Sequence, residues 1–258
     1  MTSILRPLAA AAVLFAAALL PATAQSIAPA QRTEIEAIIK DYLLRNPEIL
    51  QEVSAELEKR LATAEAAKHQ TAVKDHAEEI FNSKSQVVLG NPQGDVTMVE
   101  FFDYNCGYCK RAMVDMLELM KDKKLRVVLK EFPVLGEGSV EAARVGVAVR
   151  MQDVTGKKYL DFHQKLLANR GQIGRAQAVA AAKDAGLDMA RLEKDIAGDE
   201  PKAAIEESFK LADALGLSGT PSYVVGSQAA ASQVVIGAVG VSKLKESINA
   251  ARCGKAMC

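Results

Sequence analysis

Two cysteines, Cys106 and Cys109, are separated by two residues in the segment EFFDYNCGYCKRA, after an apolar run and before a basic, helix-forming stretch. At the first turn of a helix, unpaired backbone N–H groups and the helix dipole favour an anion. We therefore expect the pKa of the Cys106 thiol to fall below its ordinary value of about 8.5, which would make Cys106 a nucleophile for disulfide exchange. Cys109, one turn further on, is expected to be buried and to resolve the mixed disulfide.

Zinc binding and a permanent structural disulfide are the competing interpretations of this pair. A zinc site takes four ligands, commonly as two such pairs, and the other two cysteines, Cys253 and Cys258, lie at the far end of the chain. A disulfide that closes a two-residue loop would stabilise the fold little. A reactive dithiol is the favoured interpretation, and it needs no cofactor beyond the redox-active disulfide between Cys106 and Cys109.

Thr220 and Pro221 precede the apolar segment SYVVG, at the predicted start of a strand. Proline is tolerated at the first residue of a strand, and an X–Pro bond is cis in only about 5–6% of folded cases. A Cys-x-x-Cys pair on the same predicted sheet nevertheless favours a cis bond here. We expect that bond to turn the Thr220 backbone towards Cys106, where an incoming peptide could bind as an added strand.

Glu100 lies between Val99 and Phe101 in the apolar run VTMVEFF, six residues before Cys106. A carboxylate among apolar residues is costly unless it is hydrogen-bonded or protonated. One interpretation is a raised pKa, which would let Glu100 take the proton of Cys109 during exchange. The other is a structural ion pair with Lys130 on the neighbouring strand, and the sequence leaves both open.

The order of predicted elements indicates the fold that positions these residues. Strands are predicted over 96–102 and 125–132, with a helix over 106–120 between them, which is the pattern of a parallel strand–helix–strand unit. A long helical block over about 138–215 follows, and then two short strands and a closing helix. This order is typical of an α/β thioredoxin-type fold with an inserted helical subdomain, here within a domain over 83–252.

The segment 25–82 precedes this domain and is charged, rich in alanine and free of glycine. Its pattern predicts a short helix, a break at Asn46-Pro47 and a longer helix with a narrow apolar stripe. The stripe consists of Leu50, Val53, Leu57 and Leu61. It favours self-association, and the alternative is a helix that lies on the domain surface. We expect His69 and His76, in the polar half of that helix, to be solvated.

Residues 1–24 have the layout of a secretory signal peptide, with Arg6, an apolar stretch from Leu8 to Leu20 and the small triplet Ala22-Thr23-Ala24. The apolar stretch is shorter than the roughly 20 residues of a spanning helix. We expect cleavage after the triplet and export of the remaining chain. A permanent membrane anchor is the alternative.

The formal net charge of +0, with no basic stripe, argues against nucleic acid as a partner. All four cysteines lie in the part expected to be exported, where an even number favours disulfides. We therefore expect a small structural disulfide between Cys253 and Cys258 in the tail 253–258. A soft copper site formed by these cysteines with Met257 is the alternative.

Three stretches, VEFFDYNCGYC, KEFPVLGEGSVEAARV and SGTPSYVVG, resemble the DsbA-like thiol–disulfide oxidoreductases of bacterial periplasms. The segment IEAIIKDYLLRNPEIL resembles the N-terminal extension of the ScsC-type branch. The resemblance covers about Ile35 to Ala250. It implies a thioredoxin fold with inserted helices, a nucleophilic Cys106, a resolving Cys109 and a cis bond before Pro221, and it matches Glu100 to the buried acid of that family.

The resemblance also implies a function. The dipeptide Gly107-Tyr108 matches the CGYC of isomerases such as DsbC and differs from the Pro-His of strongly oxidising DsbA enzymes. We therefore expect a periplasmic disulfide isomerase that acts on misfolded or copper-damaged exported proteins, with Gly107, Tyr108, Thr220 and Pro221 contacting the substrate. A membrane-bound thiol reductase or oxidase partner and a homo-oligomer, with a trimer favoured, are implied as well. The alternatives are a DsbA-type dithiol oxidase and a copper-binding or surface interaction protein.

Overall fold

A computed structural model describes residues 28–153, 155–227 and 232–258 of the chain, which form two compact units divided between Lys59 and Arg60. The predicted signal peptide, residues 1–24, lies outside the described residues. No helix within these ranges is both long enough and apolar enough to cross a membrane.

The first unit contains helix α1 (Pro29–Arg45) and the start of helix α2 (Glu48–Asp75). Pro29 occupies the first turn of α1, a position that lacks an intrahelical N–H partner in any case. Asn46 ends the helix, because its side-chain amide donates to the Tyr42 carbonyl at 2.8 Å. The predicted break at Asn46-Pro47 is therefore confirmed. Most of the large apolar side chains of this unit are exposed, namely Ile35, Ile38, Ile39, Tyr42, Leu44, Leu50, Val53 and Leu57.

The second unit is built on a five-stranded sheet with the strand order β1-β3-β2-β4-β5. The strands are β1 (Val87–Gly90), β2 (Val96–Phe102), β3 (Leu125–Glu131), β4 (Ser222–Gly226) and β5 (Gln233–Ile236). Strands β2 and β3 are parallel, and the other neighbouring pairs are antiparallel. Four of these strands are predicted from the sequence, and β1 is not.

Helices connect and cover the sheet. They are α3 (Ala77–Phe81), α4 (Gly107–Leu119), α5 (Glu137–Gln152), α6 (Lys157–Leu167), α7 (Arg175–Asp184), α8 (Met189–Ile196), α9 (Glu200–Ala214) and α10 (Gly240–Cys253). Helix α4 is the crossover between the parallel strands, and its buried side chains recur at helical spacing: Cys109, Ala112, Met113, Met116 and Leu119. Helices α5 to α9 form the inserted helical subdomain between β3 and β4. The predicted thioredoxin-type α/β fold with N-terminal helices is confirmed.

The two faces of the sheet contribute to two hydrophobic clusters. Because side chains alternate along a strand, Met98 and Phe102 of β2 join the cluster that includes α4, α6 and α10, whereas Phe101 joins the cluster that includes α9. The second cluster also contains Val73 of α2 and Ile80 of α3, which are 4% and 0% exposed. The end of the segment 25–82 thus forms part of the core of the second unit.

Candidate active site

Cys106 and Cys109 lie at the start of α4, next to the carboxyl end of β2. Cys106 is the N-cap of α4, and its extended backbone (φ −75°, ψ 115°) turns the chain from the strand into the helix. Both cysteines are reduced, and neither is in a disulfide. Cys106 retains 7% of its surface against 1% for Cys109, so Cys106 is the more accessible of the two sulfurs, as expected for an attacking thiol.

The surroundings push the pKa values of the two thiols in opposite directions. The Cys109 thiol donates a hydrogen bond to the Cys106 sulfur, and this bond, together with the N–H groups of Tyr108 and Cys109, lowers the pKa of Cys106 from 9.0 to about 5 although burial opposes ionisation. The same bond, with burial and the nearby Glu100, raises the pKa of Cys109 well above its usual range. Cys106 is therefore the group that is ionised at neutral pH.

The peptide bond between Thr220 and Pro221 is cis, as predicted. Pro221 directly precedes β4, and its carbonyl accepts a hydrogen bond from the Gly237 N–H at 2.9 Å. The Cys106 sulfur lies 3.2 Å from the Thr220 carbonyl oxygen, and the Thr220 side chain contributes to the lowered pKa of Cys106. The structure thus brings the two stretches together, although they are 114 residues apart.

Glu100 is 4% exposed, and its pKa is raised from 4.5 to about 8, first by burial and then by the charges of Asp115 and Cys106. The register places Leu129 opposite Glu100 and pairs Lys130 with Phe101, so Glu100 and Lys130 lie on opposite faces of the sheet. The ammonium group of Lys130 instead contacts Glu207 at 3.1 Å and the Glu79 carbonyl at 2.7 Å. The alternative of an ion pair between Glu100 and Lys130 is therefore wrong, and a buried, protonated acid remains.

Gly107 and Tyr108, between the two cysteines, form an open surface beside Cys106. Tyr108 is 58% exposed, and the Arg111 guanidinium lies 4.4 Å from the centre of its ring. A Cβ added to Gly107 would meet nothing within 4 Å. A substrate can reach both residues, and their contact with substrate stays a prediction.

Two polar residues of the loop between β2 and α4, Asp103 and Asn105, were not selected by the sequence analysis. Asp103 is 1% exposed and Asn105 is half-buried, and their side chains bind elements far away in the sequence. The signal that could have found them is the polar DYN stretch between a buried strand and a reactive cysteine.

A buried polar cluster lies behind this loop. The hydroxyls of Tyr104 and Tyr159 donate to the Glu131 carboxyl at 3.3 and 3.0 Å, and a ring nitrogen of His163 lies 3.2 Å from the Tyr104 hydroxyl. Burial raises the pKa of Glu131 well above its usual range and lowers the pKa of His163 to about 3. Both groups are therefore held neutral, as their burial requires.

Cys253 and Cys258 form a disulfide, with their Cα atoms 6.2 Å apart. The expectation of a disulfide in the tail is confirmed. In this form the two sulfurs are not available as thiolate ligands, and within the described ranges no group of three or more His, Cys, Asp or Glu residues is arranged to hold a metal ion.

Family models match both parts of the chain. The model for the DSBA-like thioredoxin domain matches residues 97–249, and the model for the copper resistance protein ScsC N-terminal domain matches residues 31–64. The chain spans about a fifth (21%) of the length of the first curated relatives that it matches, Na(+)/H(+) antiporters NhaA of Salinispora arenicola and Salinispora tropica, at 28% identity over 141 residues.

Solved structures with this architecture cover more of the chain. A thioredoxin-like oxidoreductase from Silicibacter pomeroyi is 43% identical, with 68% of this chain and 96% of that chain covered and a TM-score of 0.61. BcfH from Salmonella enterica Typhimurium is 26% identical, with 86% and 96% covered and a TM-score of 0.73. ScsC from Proteus mirabilis is 26% identical, with 89% and 98% covered and a TM-score of 0.63.

The chain thus belongs to the DsbA-like thioredoxin family and carries an ScsC-type N-terminal domain.

Proposed function

We propose that the protein is exported to the periplasm and acts there chiefly as a disulfide isomerase on misfolded or copper-damaged proteins. The observation that carries this proposal is the Cys106 sulfur, which is activated at the first turn of α4 and lies 3.2 Å from the Thr220 carbonyl. A disulfide-bonded client would pair its main chain with the Thr220 backbone, and this pairing would bring a client sulfur to Cys106.

The first step breaks the disulfide of the client. The Cys106 thiolate attacks one client sulfur, a mixed disulfide forms, and the second client sulfur leaves as a thiolate. A different client thiolate can then attack the client sulfur of the mixed disulfide. This releases the Cys106 thiolate and leaves the client with a new disulfide and no net change in oxidation state, which is isomerisation.

Cys109 provides the other exit from the mixed disulfide. Once Cys106 is bonded to a client, its sulfur is no longer an anion that attracts the Cys109 proton. The hydrogen bond to Cys106, which is the largest cause of the raised Cys109 pKa, is then lost. Glu100, in its ionised form, would take that proton. The Cys109 thiolate then attacks Cys106, the reduced client leaves, and the disulfide between Cys106 and Cys109 closes.

Continued isomerisation requires Cys106 to be kept reduced, so the protein would need a membrane-bound thiol reductase as a partner. The protein would also form a homo-oligomer, with a trimer favoured, through the N-terminal unit. The exposed apolar side chains of α1 and α2 support this assembly, because surfaces of this kind mark interaction sites. Several active sites in one assembly would let a client be released and bound again without diffusing away.

Dithiol oxidation is the second candidate, and the lowered pKa of Cys106 favours it. Each pKa unit by which the thiolate is stabilised is worth about 1.4 kcal/mol and raises the reduction potential by about 30 mV. A strongly oxidising dithiol would pass its disulfide to reduced clients instead of rearranging existing ones.

One comparison separates the two candidates. The reduced protein is incubated with a scrambled model protein with several disulfides, and the oxidised protein is incubated with the same model protein after reduction. Recovery of the native model protein mainly in the first reaction supports isomerisation, and recovery mainly in the second supports oxidation. Cys106→Ala should abolish both reactions. The double variant Cys253→Ala/Cys258→Ala is the matched control and should retain them.

A further inference from the structure

We propose that Asp103 and Asn105 are positioning residues, which hold Cys106 at the N-terminus of α4 by joining the reactive loop to the inserted helical subdomain. The inference rests on the proposed role of Cys106 as the attacking thiol. Neither side chain contacts a reacting atom, and only the main chain of Asp103 contacts the Cys109 thiol, so the two side chains act on the reaction indirectly, through the position of Cys106.

Asn105, directly before Cys106, uses both ends of its side-chain amide. Its Nδ2 donates to the Ser139 hydroxyl at 3.0 Å and to the Ile173 carbonyl at 2.8 Å. Its Oδ1 accepts from the Ile173 N–H at 2.7 Å. Ser139 lies at the start of α5 and Ile173 lies in the loop before α7, so one side chain joins the reactive loop to two separate parts of the subdomain.

Asp103 fixes the other end of the loop. Its Oδ1 accepts from the Asn105 N–H and from the Ser139 hydroxyl, both at 2.7 Å, and its Oδ2 accepts from the Leu135 N–H at 2.9 Å. The main-chain carbonyl of Asp103 accepts from the Cys106 N–H at 3.1 Å. Asp103 therefore binds the subdomain through its side chain and the Cys106 N–H through its main-chain carbonyl.

The loop that contains Ile173 packs closely against the start of α5. A Cβ added to Gly138 would lie 2.7 Å from the Ile173 carbonyl oxygen, a distance that would force the backbone apart. Lys110, in the first turn of α4, donates to the Asn169 carbonyl at 2.9 Å. Glycine at 138 thus permits the close approach that places Ile173 within reach of Asn105.

These contacts matter because the Cys106 thiolate is stabilised by directional hydrogen bonds. The Cys109 thiol lowers its pKa most, and the Thr220 side chain and the N–H groups of Cys109 and Tyr108 lower it further. Hydrogen bonds weaken steeply as their angle worsens. The titratable groups that interact with the sulfur are Cys109 on α4, Glu100 on β2 and Tyr223 on β4. None of them lies in the loop, so loosening the loop would move Cys106 relative to all of them.

The test measures the pH dependence of Cys106 alkylation by iodoacetamide in the reduced, full-length protein, with mass spectrometry to identify the labelled cysteine. Asn105→Ala should raise the pKa of Cys106 by about one unit, the size of a helix-terminus interaction. At pH 4, below the pKa of about 5, alkylation should therefore become about tenfold slower. Asn91→Ala is the matched control. Asn91 also makes two loop hydrogen bonds, to Lys123 and Gln93, but at the opposite end of β2, and its loss should leave the profile unchanged.

Gly138→Ala provides an independent route, because it displaces Ile173 while it leaves Asp103 and Asn105 intact. It should shift the Cys106 profile in the same direction, and it carries the test if Asn105→Ala does not fold. An unchanged profile in the folded variants, whatever their thermal stability, would overturn the inference. Alkylation needs no client, so failure of the isomerase proposal would appear separately, as a wild-type protein with a low Cys106 pKa and no isomerase activity.

Discussion

Replacing the buried acid, Glu100→Gln, should stabilise the reduced protein at neutral pH while it slows the resolving step. The pKa of Glu100 is raised from 4.5 to about 8 in the folded chain. A carboxyl whose pKa is raised by folding stabilises the folded state most below its unfolded pKa. This stabilisation is lost as the pH rises towards the pKa of the folded state. Glu100 therefore lowers the free energy of unfolding progressively between pH 4.5 and about 8. Glutamine does not ionise, so it has no such effect.

The size of the effect follows from these two pKa values. At pH 7 the unfolded carboxyl is ionised and the folded one is mostly protonated, which corresponds to about 3 kcal/mol of lost stability. A glutamine amide that lacks hydrogen-bond partners also costs free energy, but by the same amount at every pH. The prediction is therefore that the stability of Glu100→Gln relative to wild type rises by about 3 kcal/mol between pH 4 and pH 7.

Urea unfolding of both reduced proteins at a series of pH values measures this difference. The comparison between proteins is needed because Cys106, whose pKa is lowered to about 5, adds stability to both of them as the pH rises above that value. Glu118→Gln, which removes an exposed carboxylate from α4, is the control and should show no such rise. A stability difference between Glu100→Gln and wild type that stays constant with pH would refute the reasoning. Release of a client from the mixed disulfide should slow by about 10²–10⁴-fold in Glu100→Gln.

Three further predictions concern other parts of the molecule. Cys109→Ala should accumulate the mixed disulfide on Cys106, detected as a reductant-sensitive adduct by non-reducing electrophoresis; a variant that releases client at the wild-type rate would exclude Cys109 as the resolving thiol. Deleting residues 25–59, which leaves the second compact unit whole, should give a monomer in light scattering, and an unchanged mass would remove the N-terminal unit as the site of assembly. Tyr159→Phe removes the 3.0 Å hydrogen bond to buried Glu131. It should lower the free energy of unfolding by about 1–3 kcal/mol without changing the alkylation profile of Cys106. Unaltered stability in urea would contradict this prediction.

The strands that carry the site could be predicted because their patterns are strong. Strand β2 contains seven consecutive residues rich in β-formers, and β3 shows the same character. The cis bond before Pro221 could be predicted only in combination with the cysteine pair. Strand β1 could not be predicted, because its four residues acquire their strand conformation by pairing with β3.

The partners of polar residues were harder to predict, because they depend on register and on distant segments. The sequence could not separate the two interpretations of Glu100, since a shift of one residue in pairing exchanges the faces of a strand. The observed register, with Lys130 opposite Phe101, decides between them. Asn105 was missed for a related reason: its partners Ser139 and Ile173 are 34 and 68 residues away, beyond any local pattern.

The most direct test of the account is the separate titration of the two active-site thiols in the reduced wild-type protein. The account predicts that iodoacetamide at pH 6 labels Cys106, with an apparent pKa of about 5, and leaves Cys109 unlabelled. Labelling of both cysteines together, with a midpoint near the ordinary thiol value of about 8.5, would contradict it.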